Sequence, residues 1–446
     1  MNRIVNFSDR INPITVKEIR QSLYKMPLML IMALAFLTFL FFAIAGSDND
    51  GKFLTIAIVV GIYFVSQLIA ISHGSRLMRE RAGDDDLLYA TTLSPFKVIS
   101  GKLASIAINS LMVLAISLPF LVGGYYMGGV DATDILLTVA LLLLSIYAYA
   151  TLVLALAAVR LHGRLGILRI LPAVILLFPA FALAVLENNE VIIMLALATM
   201  IPIFFTLAMA GVANPASNRS VTARITTIIA VVLLGMMMLL NNDSIDANYF
   251  ENAYITVFTI VISIMFLLAS CEPLRPSRRI LASTPRNRFL VPIYALFASN
   301  AYSGWLYGIV LSGVMLCIFF LNNIDPDTLF ALAAIAAYFA CYAGISIYLR
   351  SATESLVRVN RQPYTIVTIV ITLITVLSSV AISFVEMSYR SSENYGWLFF
   401  SPAMIGYDEK IALLSAGVML AVASLFIIPG IFVNARAFLN AAKNKQ

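Results

Sequence analysis

The chain has 446 residues, of which 61% are hydrophobic and only 12% charged, and its mean hydropathy is +0.94. A soluble domain carries about a quarter charged residues, so a water-soluble globular enzyme is excluded and an integral membrane protein is expected. The formal charge of +6 does not point to nucleic acid, because the basic residues follow a topological pattern along the chain.

A membrane-crossing helix needs about 20 apolar residues. Twelve stretches approach or exceed that length: 27–45, 53–72, 103–125, 134–159, 165–186, 191–211, 224–240, 253–270, 302–321, 328–349, 364–385 and 411–433. The connectors between them fall alternately inside and outside. With the N-terminus inside, every one of the 29 basic residues except Lys52, Arg390 and Lys410 lies on an inside segment. Such a bias supports both the span count and the orientation. The expected fold is therefore an all-α integral membrane protein of about 12 transmembrane helices in two six-helix halves, both termini cytoplasmic, in the inner cell membrane. The expected divisions are 1–26, a cytoplasmic elbow; 27–211, a first half carrying the loop 76–102; and 212–446, a second, divergent half.

Residues 12–26 read as an interfacial helix. Asn12 can cap it and Pro13 suits its first turn. Val16, Ile19, Leu23 and Met26 form one apolar stripe, with Lys17, Arg20, Gln21 and Lys25 off it. A basic amphipathic helix just before a span should lie on the cytoplasmic leaflet. Loop 76–102 then reads as three short helical pieces. Arg76 to Ala82 continues the second span, and Gly83 breaks it. Asp84, Asp85 and Asp86 open the next piece, where carboxylates suit the positive end of the helix dipole. Leu87, Leu88, Tyr89 and Leu93 offer a docking surface, and Ser94-Pro95 starts the third piece. Three adjacent aspartates point in different directions, so a divalent-cation site is not expected.

The second half repeats this layout. Asn214-Pro215 precedes span seven as Asn12-Pro13 precedes span one. The loop 271–301 has about the length of 73–102 but lacks the acidic run. It carries Arg275, Arg278, Arg279, Arg286 and Arg288, which should face lipid headgroups or a different surface of a partner. The outside connector 386–410 is rich in aromatics, including Tyr395, Trp397 and Phe399, and reads as a re-entrant or interfacial hairpin.

No charged residue lies clearly in the middle of a span, and Gln67 and Asn109 read as helix–helix contacts. No phosphate-cradling GxxxxGKS/T loop occurs. Cys271, Cys317 and Cys341 are too few and scattered for a metal site or disulfide framework, and Cys317 and Cys341 read as small apolar packers. No catalytic, cofactor or metal site is expected.

The stretch Asn12-Pro13-Ile14-Thr15-Val16-Lys17-Glu18-Ile19-Arg20-Gln21 resembles the start of export-type (type 2) ATP-binding-cassette permeases, which open with an elbow helix of this kind. The loop is similar to their coupling region at Glu80, Gly83, Asp86, Leu87, Leu88, Ser94, Pro95, Gly101 and Lys102, position by position, with Asp84 where a threonine is common. The match covers about 12–122, and the second half matches in layout alone. The resemblance implies no ATP hydrolysis by this chain. It implies a separate cytosolic ATP-binding subunit docking at Glu18, Arg20, Glu80, Gly83, Asp86, Leu87, Leu88, Ser94, Pro95 and Lys102. Membrane lipids and a second permease copy are the other implied partners. Two other classes stay open: a twelve-helix secondary carrier, and a membrane enzyme or assembly factor acting on lipid-linked substrates.

Overall fold

The computed structural model describes residues 12–23, 51–83, 94–128, 130–158, 190–214, 217–240, 247–322, 326–356 and 409–444, with scattered positions in 33–41. Among the described residues the chain is helical and forms no strand. In chain order the elements are α1 Pro13–Leu23, α2 Gly51–Gly83, α3 Pro95–Tyr126, α4 Ala132–Ala158, α5 Glu190–Val212, α6 Val221–Leu240, α7 Ala247–Cys271, α8 Arg278–Ala282, α9 Leu290–Phe297, α10 Ala301–Leu321, α11 Pro326–Leu356 and α12 Glu409–Lys443.

Six of these contain segments long and apolar enough to cross a membrane: Leu54–Met78, Pro95–Tyr126, Ala132–Ala158, Ala301–Leu321, Thr328–Ala352 and Gly417–Lys443. Three shorter apolar helices join them, Leu197–Val212, Val221–Met237 and Val257–Ser270. The stretches 165–186 and 364–385, most of 27–45 and all but the last two residues of the connector 386–410 lie outside the described residues, as do Asp86, Leu87 and Leu88. The terminal signals are local. Ser94 caps α3 by accepting from the Lys97 amide, with Pro95 in the first turn. Pro119, Pro202 and Pro429 sit inside α3, α5 and α12. Neighbouring helices make this tolerable in an apolar bundle.

The chain divides into two compact units, Met1–Ala213 and Asn214–Gln446. In the first, α2 packs on α3 and α4, α4 packs on α5, and α3 touches α4 and α5; α1 lies on α3. In the second, α7 packs on α10 and α11, α11 packs on α12, and α10 touches α11 and α12. The same five helix pairs thus recur in the same order in both units. In the first unit α2 and α3 run antiparallel over their whole length. His73 meets Asn109 near one end, and a Cβ on Gly124 would stand 2.6 Å from Thr55 Oγ1 near the other. Large apolar side chains such as Leu118, Val122, Leu233, Phe320 and Leu425 stay exposed on the outer faces, as they do when the solvent is lipid. Cys341 is buried in the core of the second unit with Tyr338 and Ala423. Cys317 departs from the packing role expected of it. It is exposed on α10, where it lines an apolar groove of about 450 Å³ with Gly235 and Gly313.

Candidate functional site

The first unit gathers its charged residues at one joint, where the elbow α1 lies across the ends of α2 and α3. Asn12 caps α1, its Oδ1 accepting from the Ile14 amide at 3.1 Å, and its Nδ2 donates to Lys97 O on α3. The helix then turns a polar stripe inward. Thr15, Glu18 and Ser22, spaced three and four apart, are buried, while Val16 is 44% exposed. The basic residues Lys17 and Arg20 are exposed. The elbow therefore grips its own bundle by a polar face and leaves part of its apolar stripe outward, as an interfacial helix requires.

Close approach is possible because Gly101 faces α1. A Cβ there would stand 2.8 Å from Ile14 Cβ and 2.9 Å from Asn12 Nδ2. Thr15 Oγ1 donates to Gly101 O at 3.2 Å. The next residue, Lys102, is 1% exposed, and its ammonium pairs with Glu18 Oε1 and with Glu80 Oε2 at 2.9 Å. Glu80 also takes Lys17 at 3.0 Å. The other oxygen of Glu18 lies 3.3 Å from His73 Nδ1 and 3.5 Å from Arg76 Nη1. His73 is buried, and its Nε2 lies 3.3 Å from Asn109 Nδ2. The ring can thus accept from the amide at Nε2, which leaves the Nδ1 proton on the side of the carboxylate. Burial pushes the Glu18 carboxyl upward, but the His73 hydrogen bond and the Lys102 charge outweigh it and hold the pKa at about 2. Glu18 is consequently ionised and stapled.

Of the residues expected to couple to a partner, Glu18, Glu80 and Lys102 are brought together here. Ser94 and Pro95 start the helix that carries Lys102, and Gly83 is the last described residue of α2. Arg20 is exposed on α1 away from the joint. Glu18 and Lys102 are too buried to touch a partner; they join the elbow to the bundle. Sequence reasoning left out Lys17, His73, Arg76 and Asn109 as members of the site. The inward stripe Thr15-Glu18-Ser22 was the signal that could have found their partner face.

The second unit also has a buried ion pair where helix ends meet. Arg224, in the first turn of α6, is buried and pairs with Glu272, just past α7. Its Nη1 also donates to Leu296 O at 2.8 Å and Ala298 O at 2.7 Å, meeting carbonyls at the end of α9. Tyr307 OH donates to Arg224 O at 2.7 Å. Arg350 donates to Glu272 O at 2.6 Å, closing the end of α7. Asn300 caps α10, its Oδ1 accepting from Tyr302 N at 2.8 Å. Gly304 makes room: a Cβ would stand 2.8 Å from Ala269 Cβ and 3.0 Å from Arg224 Nη2.

Among the described residues no three His, Cys, Asp or Glu side chains could jointly hold a metal ion. No family model, no curated protein and no solved structure matches the chain.

Proposed function

We propose that the chain is the membrane-spanning permease subunit of an ATP-driven transporter of the ATP-binding-cassette type, an exporter, energised by a separate cytosolic ATPase subunit docking on loop 76–102. In this reading it crosses the inner membrane twelve times in two six-helix halves with both termini cytoplasmic. One chain supplies both membrane halves, or two copies pair. The observation that carries the reading is the elbow joint. Glu18 and Lys102, 84 residues apart, meet in one buried pair, and the Asn12-Pro13 and Gly101-Lys102 dipeptides that carry the resemblance form its two sides. A joint built this way moves α1, α2 and α3 together, so a push delivered to 84–93 is passed to the bundle and not absorbed in a loose connector.

The test is copurification from native membranes. The full chain should bring down a subunit that labels with azido-ATP, and deletion of 84–93 should release it while the chain stays inserted. An intact chain that brings down no ATP-binding subunit, or a deletion that keeps it, overturns the reading. A second reading, a secondary carrier, is favoured by the buried polar row Ser66, Gln67, His73 and Asn109. Ion-coupled carriers place such groups between helices. Gradient-driven uptake in ATP-depleted vesicles would select it.

A further inference from the structure

Between the end of α7 and the start of α10 the chain builds a surface of arginine and exposed apolar side chains. Arg275, Arg278, Arg279 and Arg286 are exposed, and none of them forms an ion pair among the described residues. No Asp or Glu occurs between Glu272 and Asp325, and the basic residues of 273–300 are all arginine. Next to them Phe289 is 88% exposed and Ile293 56% exposed. The surface is not a loose loop. Ile280 and Val291 are buried against Phe438, in the closing turns of α12. Leu274 O accepts from Asn434 of the same helix at 3.4 Å. α8 and α9 are therefore held beside the ends of α7, α10 and α12.

We propose that this surface binds the anionic phospholipid headgroups of the leaflet it faces. Guanidinium groups take phosphate oxygens two at a time, which an ammonium does not. A surface fixed at the ends of apolar helices stands at headgroup depth. There Phe289 and Ile293 can enter the acyl boundary while the arginines stay at the phosphates. An acidic protein seated there would have to cover Phe289 and Ile293 as well as the arginines, whereas at headgroup depth the acyl boundary already does so. The inference needs no ATPase and stands apart from the transport reading.

The test uses the purified, delipidated full chain in native mass spectrometry with added phosphatidylglycerol or phosphatidylcholine. Wild type should retain phosphatidylglycerol preferentially, and raising the ionic strength before transfer should reduce the preference. The Arg275→Gln/Arg278→Gln/Arg279→Gln/Arg286→Gln variant should bind phosphatidylglycerol at least about tenfold more weakly, since one basic residue near an anionic surface is worth about fivefold. Unchanged retention in the variant overturns the proposal. So does loss of an acidic protein partner by the variant with lipid binding intact, which would assign the surface to that partner. A second measurement covers a variant that fails to fold. The Phe289→Trp chain keeps all the arginines, and its added indole emission should be quenched more by brominated phosphatidylglycerol than by brominated phosphatidylcholine. Equal quenching by both, or none, overturns the proposal as well.

Discussion

Replacing Lys102 with Met removes the ammonium that sits between Glu18 and Glu80 and leaves the buried Glu18 carboxylate to His73 and Arg76. Breaking a buried pair from one side costs about 3–5 kcal/mol, because the remaining charge stays desolvated. Burial opposes the Glu18 carboxylate, but His73 and Lys102 together lower its pKa from an ordinary 4.5 to about 2, about 3 kcal/mol of folding stability shared between the two partners. His73 at 3.3 Å and Arg76 at 3.5 Å remain as partial compensation, so the loss should fall near the lower end, about 3 kcal/mol. The assay is SDS-induced unfolding of the purified full chain. The Glu18→Met/Lys102→Met variant should recover most of that loss, since a buried pair replaced on both sides by apolar groups is often neutral. The pH dependence has a definite sign. The folded carboxyl titrates below the unfolded one, so its stabilisation is complete above pH 4.5 and is lost as the pH falls toward 2. A single-variant loss under about 1 kcal/mol, or a double variant no better than the single, would refute the reasoning.

Three further outcomes follow from close approaches and from the second joint. Gly101→Val puts a side chain where a Cβ alone would stand 2.8 Å from Ile14 Cβ. It should cost about 1–3 kcal/mol and lift the elbow, read as faster maleimide labelling of a Thr15→Cys probe in a chain without other cysteines. Arg224→Met leaves Glu272 and the carbonyls of Leu296 and Ala298 without their donor. It should destabilise by about 3–5 kcal/mol in the same SDS titration, and a smaller loss in Arg224→Lys would show how much the charge alone supplies. Gly430→Ala drives a methyl to 2.0 Å from Tyr302 Cε1; the chain should lose thermal stability and regain it with Tyr302→Ala, whereas Tyr302→Phe, which keeps the ring, should not rescue.

Much of the helical layout was legible because its signals are local. Ser94-Pro95 starts α3 through a cap within four residues, and Asn12 caps α1 within two. The apolar runs of α3, α4, α10 and α11 are long enough to read without knowing what they touch. The joints were not legible in the same way. Arg224 reads as a topology-setting cation on an inside segment, and Glu18 and Lys102, through the family resemblance, as residues that face a docking subunit. Each is buried, because its partner comes from a helix many residues away and a polar stripe that finds a partner is indistinguishable locally from one that faces water. Gly101 carried a clearer signal: a glycine inside a helix costs stability unless another backbone needs the space, and here α1 needs it.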